Sequence, residues 1–122
     1  MARILVVDDE PRITELLAEF IGELGHEVDI ANDGTAAFKV FERRHPQLVI
    51  TDYHMPGGSG AELVARIRAA AQGASVGAIV MSGSSAEEDP KGLHELPRLR
   101  YLEKPVDMQR LKAAIDDLLG SL

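Results

Sequence analysis

Three acidic residues stand together at Asp8-Asp9-Glu10, directly after the apolar run Ile4-Leu5-Val6-Val7. A second strand-like run, Leu48-Val49-Ile50-Thr51, ends at Asp52. A third, residues 78–81, ends at Ser82, and a brief one, Tyr101-Leu102, ends at Glu103-Lys104-Pro105. Taken singly, each of these polar residues reads as a turn former or a helix cap. Taken together they ask for another explanation, because clustered carboxylates repel: two unit charges about 4 Å apart cost roughly 4 kcal/mol at an effective dielectric near 20. A fold that gathers Asp8, Asp9 and Asp52 needs a cation or a proton to offset that repulsion. The chain has no cysteine and no histidine pair at ligand spacing. An all-oxygen donor set of this kind suits a hard ion such as Mg²⁺.

The elements that would position these groups follow from apolar periodicity. Residues 4–7 form an uninterrupted apolar run, as expected of a strand covered on both faces. Pro11 suits a first helical turn. Ile13, Leu16, Leu17, Phe20, Ile21 and Leu24 then recur at the spacing of one helix face, and Gly25 is a natural stop. Residues 27–30 are a strand candidate, Asn32-Asp33-Gly34 a turn or cap, and Ala36, Ala37, Val40 and Phe41 a second helical face closed by Pro46. After strand 48–51, the segment from Met55 to Gly60 reads as a loop. Leu63, Val64 and Ile67 mark a third helix ending near Gln72-Gly73. Strand 78–81 leads into the polar loop Ser82-Gly83-Ser84-Ser85. Pro90 and Pro97 limit any helix between them to a short one. Asp107 can cap a last helix with Leu111, Ala114, Ile115, Leu118 and Leu119 on its apolar face. Strands alternating with helices predict an α/β fold with a parallel sheet. In such sheets the functional site lies beyond the carboxyl ends of the strands, where the polar residues above fall.

The chain is 122 residues long, about one domain. Apolar residues make up 45% and charged residues 27%, an ordinary globular balance. No apolar run approaches a membrane span, and the opening apolar stretch is too short for a secretory signal. Twenty acids against 13 bases give a net charge of −7, which disfavours direct nucleic-acid binding. With 4% aromatic residues there is little material for base stacking. The acidic balance suits a protein partner or a cation site, and the absence of cysteine fits a reducing, cytoplasmic setting.

The sequence resembles a response-regulator receiver domain, the CheY-like phosphoacceptor of two-component signalling. The resemblance is carried by Ile4-Leu5-Val6-Val7-Asp8-Asp9-Glu10, by Val49-Ile50-Thr51-Asp52-Tyr53-His54-Met55-Pro56-Gly57, by Val80-Met81-Ser82-Gly83 and by Tyr101-Leu102-Glu103-Lys104-Pro105. These segments fall in family order and at family intervals over essentially the whole chain. The resemblance implies a doubly wound (βα)5 flavodoxin-like fold: a five-stranded parallel sheet of order 2-1-3-4-5 with helices on both faces. It implies one receiver domain over residues 1–122, without an output domain, either standing alone or as the receiver part of a longer regulator.

By the same resemblance Asp52 is the phosphoacceptor. Asp8 and Asp9, with Asp52 and the backbone carbonyl of His54, hold Mg²⁺. Lys104 pairs with the phosphoryl group, Ser82 is the switch hydroxyl and Tyr101 the aromatic switch. The donor would be a sensor histidine kinase or a histidine phosphotransfer protein, and the output an unidentified protein target; neither a membrane nor nucleic acid is expected to be contacted directly. The Lys104–Pro105 bond is a candidate cis peptide. Ile13, Thr14, Leu17 and Pro105 are candidate donor contacts, although Ile13 and Leu17 also fit the core-facing stripe. His54 stands where the family tunes dephosphorylation. Ser rather than Thr at position 82, followed by small residues, predicts a loose loop, and the two prolines make the fourth-helix region atypical. The chain is not expected to be a multiple-turnover enzyme. Two other readings stand beside it: a Mg²⁺-dependent aspartyl-phosphate phosphohydrolase, which shares the acyl-phosphate chemistry, and an interaction module on the same fold that is indifferent to phosphorylation.

Overall fold

The computed structural model describes residues 2–55, 59–70, 73–83 and 98–120. Its elements run β1 (Arg3–Val7), α1 (Pro11–Glu23), β2 (Glu27–Ala31), α2 (Gly34–Arg44), β3 (Leu48–Asp52), α3 (Gly60–Ala69), β4 (Gly77–Ser82), β5 (Leu99–Glu103) and α4 (Met108–Gly120). The predicted fourth-helix region, residues 84–97, lies outside the described residues, as does Gln72 at the predicted end of the third helix.

The strands form one sheet of order β2-β1-β3-β4-β5, with every neighbouring pair parallel. This is the expected doubly wound order. Every residue of β3 and β4 is buried, whereas the edge strands β2 and β5 are only partly so. Central strands are covered on both faces and therefore read as continuous apolar runs; edge strands keep charged residues. Side chains alternate between the two faces. Ile4, Val6, Ile50, Ile79 and Met81 pack with Leu17 and Ile21 of α1 and with Leu111, Ile115 and Leu118 of α4. Leu5, Val7 and Val49 pack on the other side with Ala37 and Phe41 of α2 and with Leu63 and Ile67 of α3. Truncating a fully buried Leu or Ile in either layer costs about 2–5 kcal/mol.

The helix starts bear out the sequence signals. Pro11 opens α1. The Asp33 carboxylate accepts the Ala36 N–H at 2.7 Å to cap α2, and the Asp107 carboxylate accepts the Gln109 N–H at 2.8 Å to cap α4. The order in which strands are added to the sheet reverses between β1 and β3, since β1 leads outward to β2 on one side while β3 leads to β4 and β5 on the other. The crevice at the carboxyl ends of β1 and β3 is thus the switch point where ligands of such folds bind.

Candidate functional site

Asp8 follows directly on β1, Asp52 is the last residue of β3, Ser82 is the last of β4 and Lys104 follows β5. The sheet therefore delivers all four to one edge. Asp52 lies within the strand rather than just beyond it, paired in register with Met81. Asp8 and Ser82 are fully buried, Asp52 is 7% exposed and Asp9 is exposed.

One carboxylate oxygen from each of Asp8, Asp9 and Asp52 lies within 4.8 Å of the others. The Lys104 ammonium reaches into this cluster, 3.0 Å from Asp52 Oδ2 and 3.6 Å from Asp8 Oδ2. Its backbone is placed by a 2.8 Å hydrogen bond from the Lys104 N–H to the Ser82 carbonyl. Asp8 Oδ1 accepts the Glu10 N–H at 2.9 Å, but Asp8 Oδ2 is buried with no hydrogen-bond partner.

Burial pushes the Asp8 carboxyl above its ordinary value; the Glu10 N–H and the Lys104 charge act in the opposite sense, while the Asp52 charge and a hydrogen bond with Asp9 add to the rise. Burial alone would lower the Lys104 ammonium. The hydrogen bond to Asp52 and the charges of Asp52, Asp8 and Glu10 outweigh it, and the ammonium is held above its usual value. An orphaned buried oxygen and two further carboxylates, in a chain without cysteine, suit a hard divalent cation.

The remaining expected residues lie around this cluster. His54 is exposed two residues past Asp52, with its ring edge-on to Tyr53 at 5.0 Å. Tyr101 sits half-buried in β5, outside the carboxylate cluster. It packs against the group formed by Tyr53, Ala61, Val64, Ala78, Val80 and Leu99, and lines an open groove with Lys104 and Pro105. The Lys104–Pro105 peptide is cis, as anticipated. Thr14 and Leu17, candidate donor contacts, are 1% and 2% exposed and belong to the interior. The outward member of that helix face is Leu16, 52% exposed, which lines an apolar groove with Ile13, Pro105, Val106 and Met108 beside Lys104.

Two residues to which the sequence reading gave no part in the site fix the acceptor's backbone. The buried Thr51 hydroxyl donates to the Asp52 carbonyl at 2.9 Å. Gly60, the first residue of α3, lies so close that a Cβ there would stand 2.2 Å from the Asp52 carbonyl oxygen. The signal for Gly60 was present as a glycine immediately before a helical period; Thr51 offered none beyond its place in the strand.

The model of the response regulator receiver domain matches residues 4–116. Among curated relatives, an uncharacterized 14.6 kDa protein of Leptolyngbya boryana is 36% identical over 85% of this chain and 79% of its own length. The sensor histidine kinase RcsC of Escherichia coli is 34% identical over 92% of this chain, which spans only 12% of that kinase. Among solved structures, the response regulator TrrA of Thermotoga maritima, crystallised in complex with Mg²⁺-BeF, superposes with a TM-score of 0.83 at 37% identity, covering 97% of this chain and 99% of TrrA. No described helix is long and apolar enough to cross a membrane.

Proposed function

We propose that this chain, which belongs to the response regulator receiver domain family of two-component systems, is a phosphorylation switch whose acceptor is Asp52. The observation that carries this reading is the carboxylate cluster with Lys104 bridging Asp8 and Asp52. In this reading Asp52 is the nucleophile, Asp8 and Asp9 complete a cation site with it, and Lys104 is the counter-charge, all at the carboxyl ends of the strands.

In this reading a histidine kinase or a histidine phosphotransfer protein presents a phosphohistidine to the edge. An Asp52 oxygen attacks phosphorus, an O–P bond forms, the P–N bond breaks and the leaving imidazole nitrogen takes a proton from solvent. Asp8, Asp9 and Asp52 would hold Mg²⁺, which when bound neutralises charge developing on the phosphoryl oxygens; its presence in TrrA supports that assignment. Lys104, paired with Asp52 beforehand, turns its ammonium to the phosphoryl oxygens, a task suited to a compact charge on a long stem. Ser82 ends β4 and supplies a hydroxyl to the same group. Because the Lys104 N–H is bonded to the Ser82 carbonyl, movement at either residue is felt by the other. Tyr101 follows, and the surface around β5 and α4 shifts population towards a form read by a protein partner. The groove flanked by Leu16 and Met108 receives the donor. The chain is modified once per donor and loses the phosphoryl group slowly to water.

Incubation with a ³²P-labelled histidine kinase domain tests this. One hydroxylamine-labile phosphoryl group per chain, absent from Asp52→Asn, supports the acyl phosphate. Rapid multiple release of inorganic phosphate would favour the phosphohydrolase. A donor that never transfers, although it phosphorylates another receiver, would count against the switch.

A further inference from the structure

Asn32 reads in the sequence as part of a turn, yet its side chain leaves that turn. Its Nδ2 donates to the main-chain carbonyl of Asp8 at 2.9 Å, 24 residues away in sequence, and lies 3.4 Å from Thr14 Oγ1. The identity of the amide nitrogen is fixed by chemistry, since a carbonyl can only accept. The Thr14 hydroxyl, buried in α1, spends its own proton on the Pro11 carbonyl at 2.9 Å and so presents a lone pair to Asn32. Asn32 itself is held by the strand it follows, because Ala31 before it is paired with Val7 in the sheet. A rigid amide thus ties the loop after β2 to the first turn of α1 and to the Asp8–Asp9 peptide.

That peptide is the hinge of the acid pair. Its carbonyl belongs to Asp8 and its plane sets the direction in which Asp9 leaves the backbone. Rotating it would swing the exposed Asp9 carboxylate away from Asp52 while Asp8 stayed buried. Lys104 compensates Asp8 and Asp52, but among the described residues exposed Asp9 has no such partner at hand in the cluster, and its residual repulsion from the other two favours such a rotation.

We propose that Asn32 is a positioning residue for the cation site, holding the Asp8–Asp9 peptide in the orientation that keeps both carboxylates convergent on Mg²⁺. The inference rests on the Mg²⁺ reading above. Thr14 serves the same end by orienting the amide, and Asp33, one residue on, does not.

The test is Mg²⁺ titration followed by NMR on the native chain and on Asn32→Ala, Asn32→Asp and Asp33→Ala, with a thermal melt of each to establish folding. Asn32→Ala is expected to weaken Mg²⁺ binding about tenfold, the lower range for loss of an outer-shell partner. Asn32→Asp is isosteric but cannot donate to a carbonyl. Charge alone would make it bind Mg²⁺ more tightly than the native chain; positioning makes it bind more weakly. Asp33→Ala is expected to lower the melting temperature and leave the affinity unchanged. Native affinity in Asn32→Ala, or tighter binding by Asn32→Asp, would overturn the proposal. Absence of saturable Mg²⁺ binding by the native chain would overturn the metal reading itself, and is distinguishable because it needs no variant.

Discussion

Replacing Asp8 by Asn should stabilise the metal-free protein while destroying its site. Asp8 is fully buried, and its Oδ2 has no hydrogen-bond partner. With cluster oxygens no more than 4.8 Å apart, Asp52 repels the Asp8 charge by at least about 3.5 kcal/mol at an effective dielectric near 20. The Lys104 ammonium at 3.6 Å attracts it, but its side chain is 35% exposed and solvent screens that attraction, as it does the repulsion from exposed Asp9. The pair terms therefore bring the Asp8 charge no net gain, and the cost of an orphaned buried acceptor, about 1–3 kcal/mol, remains. Asp8→Asn keeps the acceptor for the Glu10 N–H and puts a donor where the orphaned oxygen stood. A gain of about 1–2 kcal/mol corresponds to about 4–8 °C in melting temperature for a chain of this length.

The pH dependence has a definite sign. The folded carboxyl lies above its ordinary value near 3.8, so between the two values the folded state holds a proton that the unfolded state has lost. Stability then falls as pH rises through that window, and the cost is fully present above the folded value. The advantage of Asp8→Asn should be largest above the raised folded value and vanish below about 3.8. Melts in chelator across this range, followed by circular dichroism, provide the assay. A variant less stable than native at the alkaline end of the range, or a gain that persists undiminished in acid, would refute the reasoning. Saturating Mg²⁺ should narrow the gap by stabilising only the native chain.

Gly60→Ala forces a methyl against the Asp52 carbonyl; overpacking of this kind costs about 1–3 kcal/mol, visible as a lower melting temperature together with slower modification of Asp52. Lys104→Met leaves Asp52 and Asp8 without their counter-charge. Because the side chain is 35% exposed, screening holds the loss to about 1 kcal/mol. The native ammonium is held high, so its contribution is present below the ordinary lysine value and disappears as pH rises through the folded one; the native and variant melts should converge in strong alkali. Mg²⁺ should raise the melting temperature of Lys104→Met more than that of the native chain, because no ammonium competes for the carboxylates. Asp33→Ala removes the α2 cap and should lower the melting temperature by about 4 °C, the equivalent of about 1 kcal/mol.

The central strands were legible because burial on both faces leaves uninterrupted apolar runs at β1, β3 and β4. The edge was less so. β5 runs over Leu99–Glu103, longer than the Tyr101-Leu102 expected, because Arg100 and Glu103 on a half-covered strand interrupt the apolar pattern. The apolar stripe of α1 contained six residues, more than one buried face needs, and only packing reveals that Leu16 is the outward member while Leu17 and Thr14 turn in. The carboxylates, Ser82 and Lys104 were found from residue type at strand ends, and the sheet brings those ends together. Thr51, Gly60 and Asn32 were missed because they act on main-chain carbonyls, of Asp52 and Asp8, and a pattern of side chains carries no record of where a carbonyl lies.

The most direct test of the switch is intact mass after incubation with a small phosphodonor such as phosphoramidate, with Mg²⁺ present or chelated, on the native chain and on Asp52→Asn. A single phosphoryl adduct that requires both Mg²⁺ and Asp52 is the predicted result. An adduct that survives Asp52→Asn, or forms equally in chelator, would contradict it.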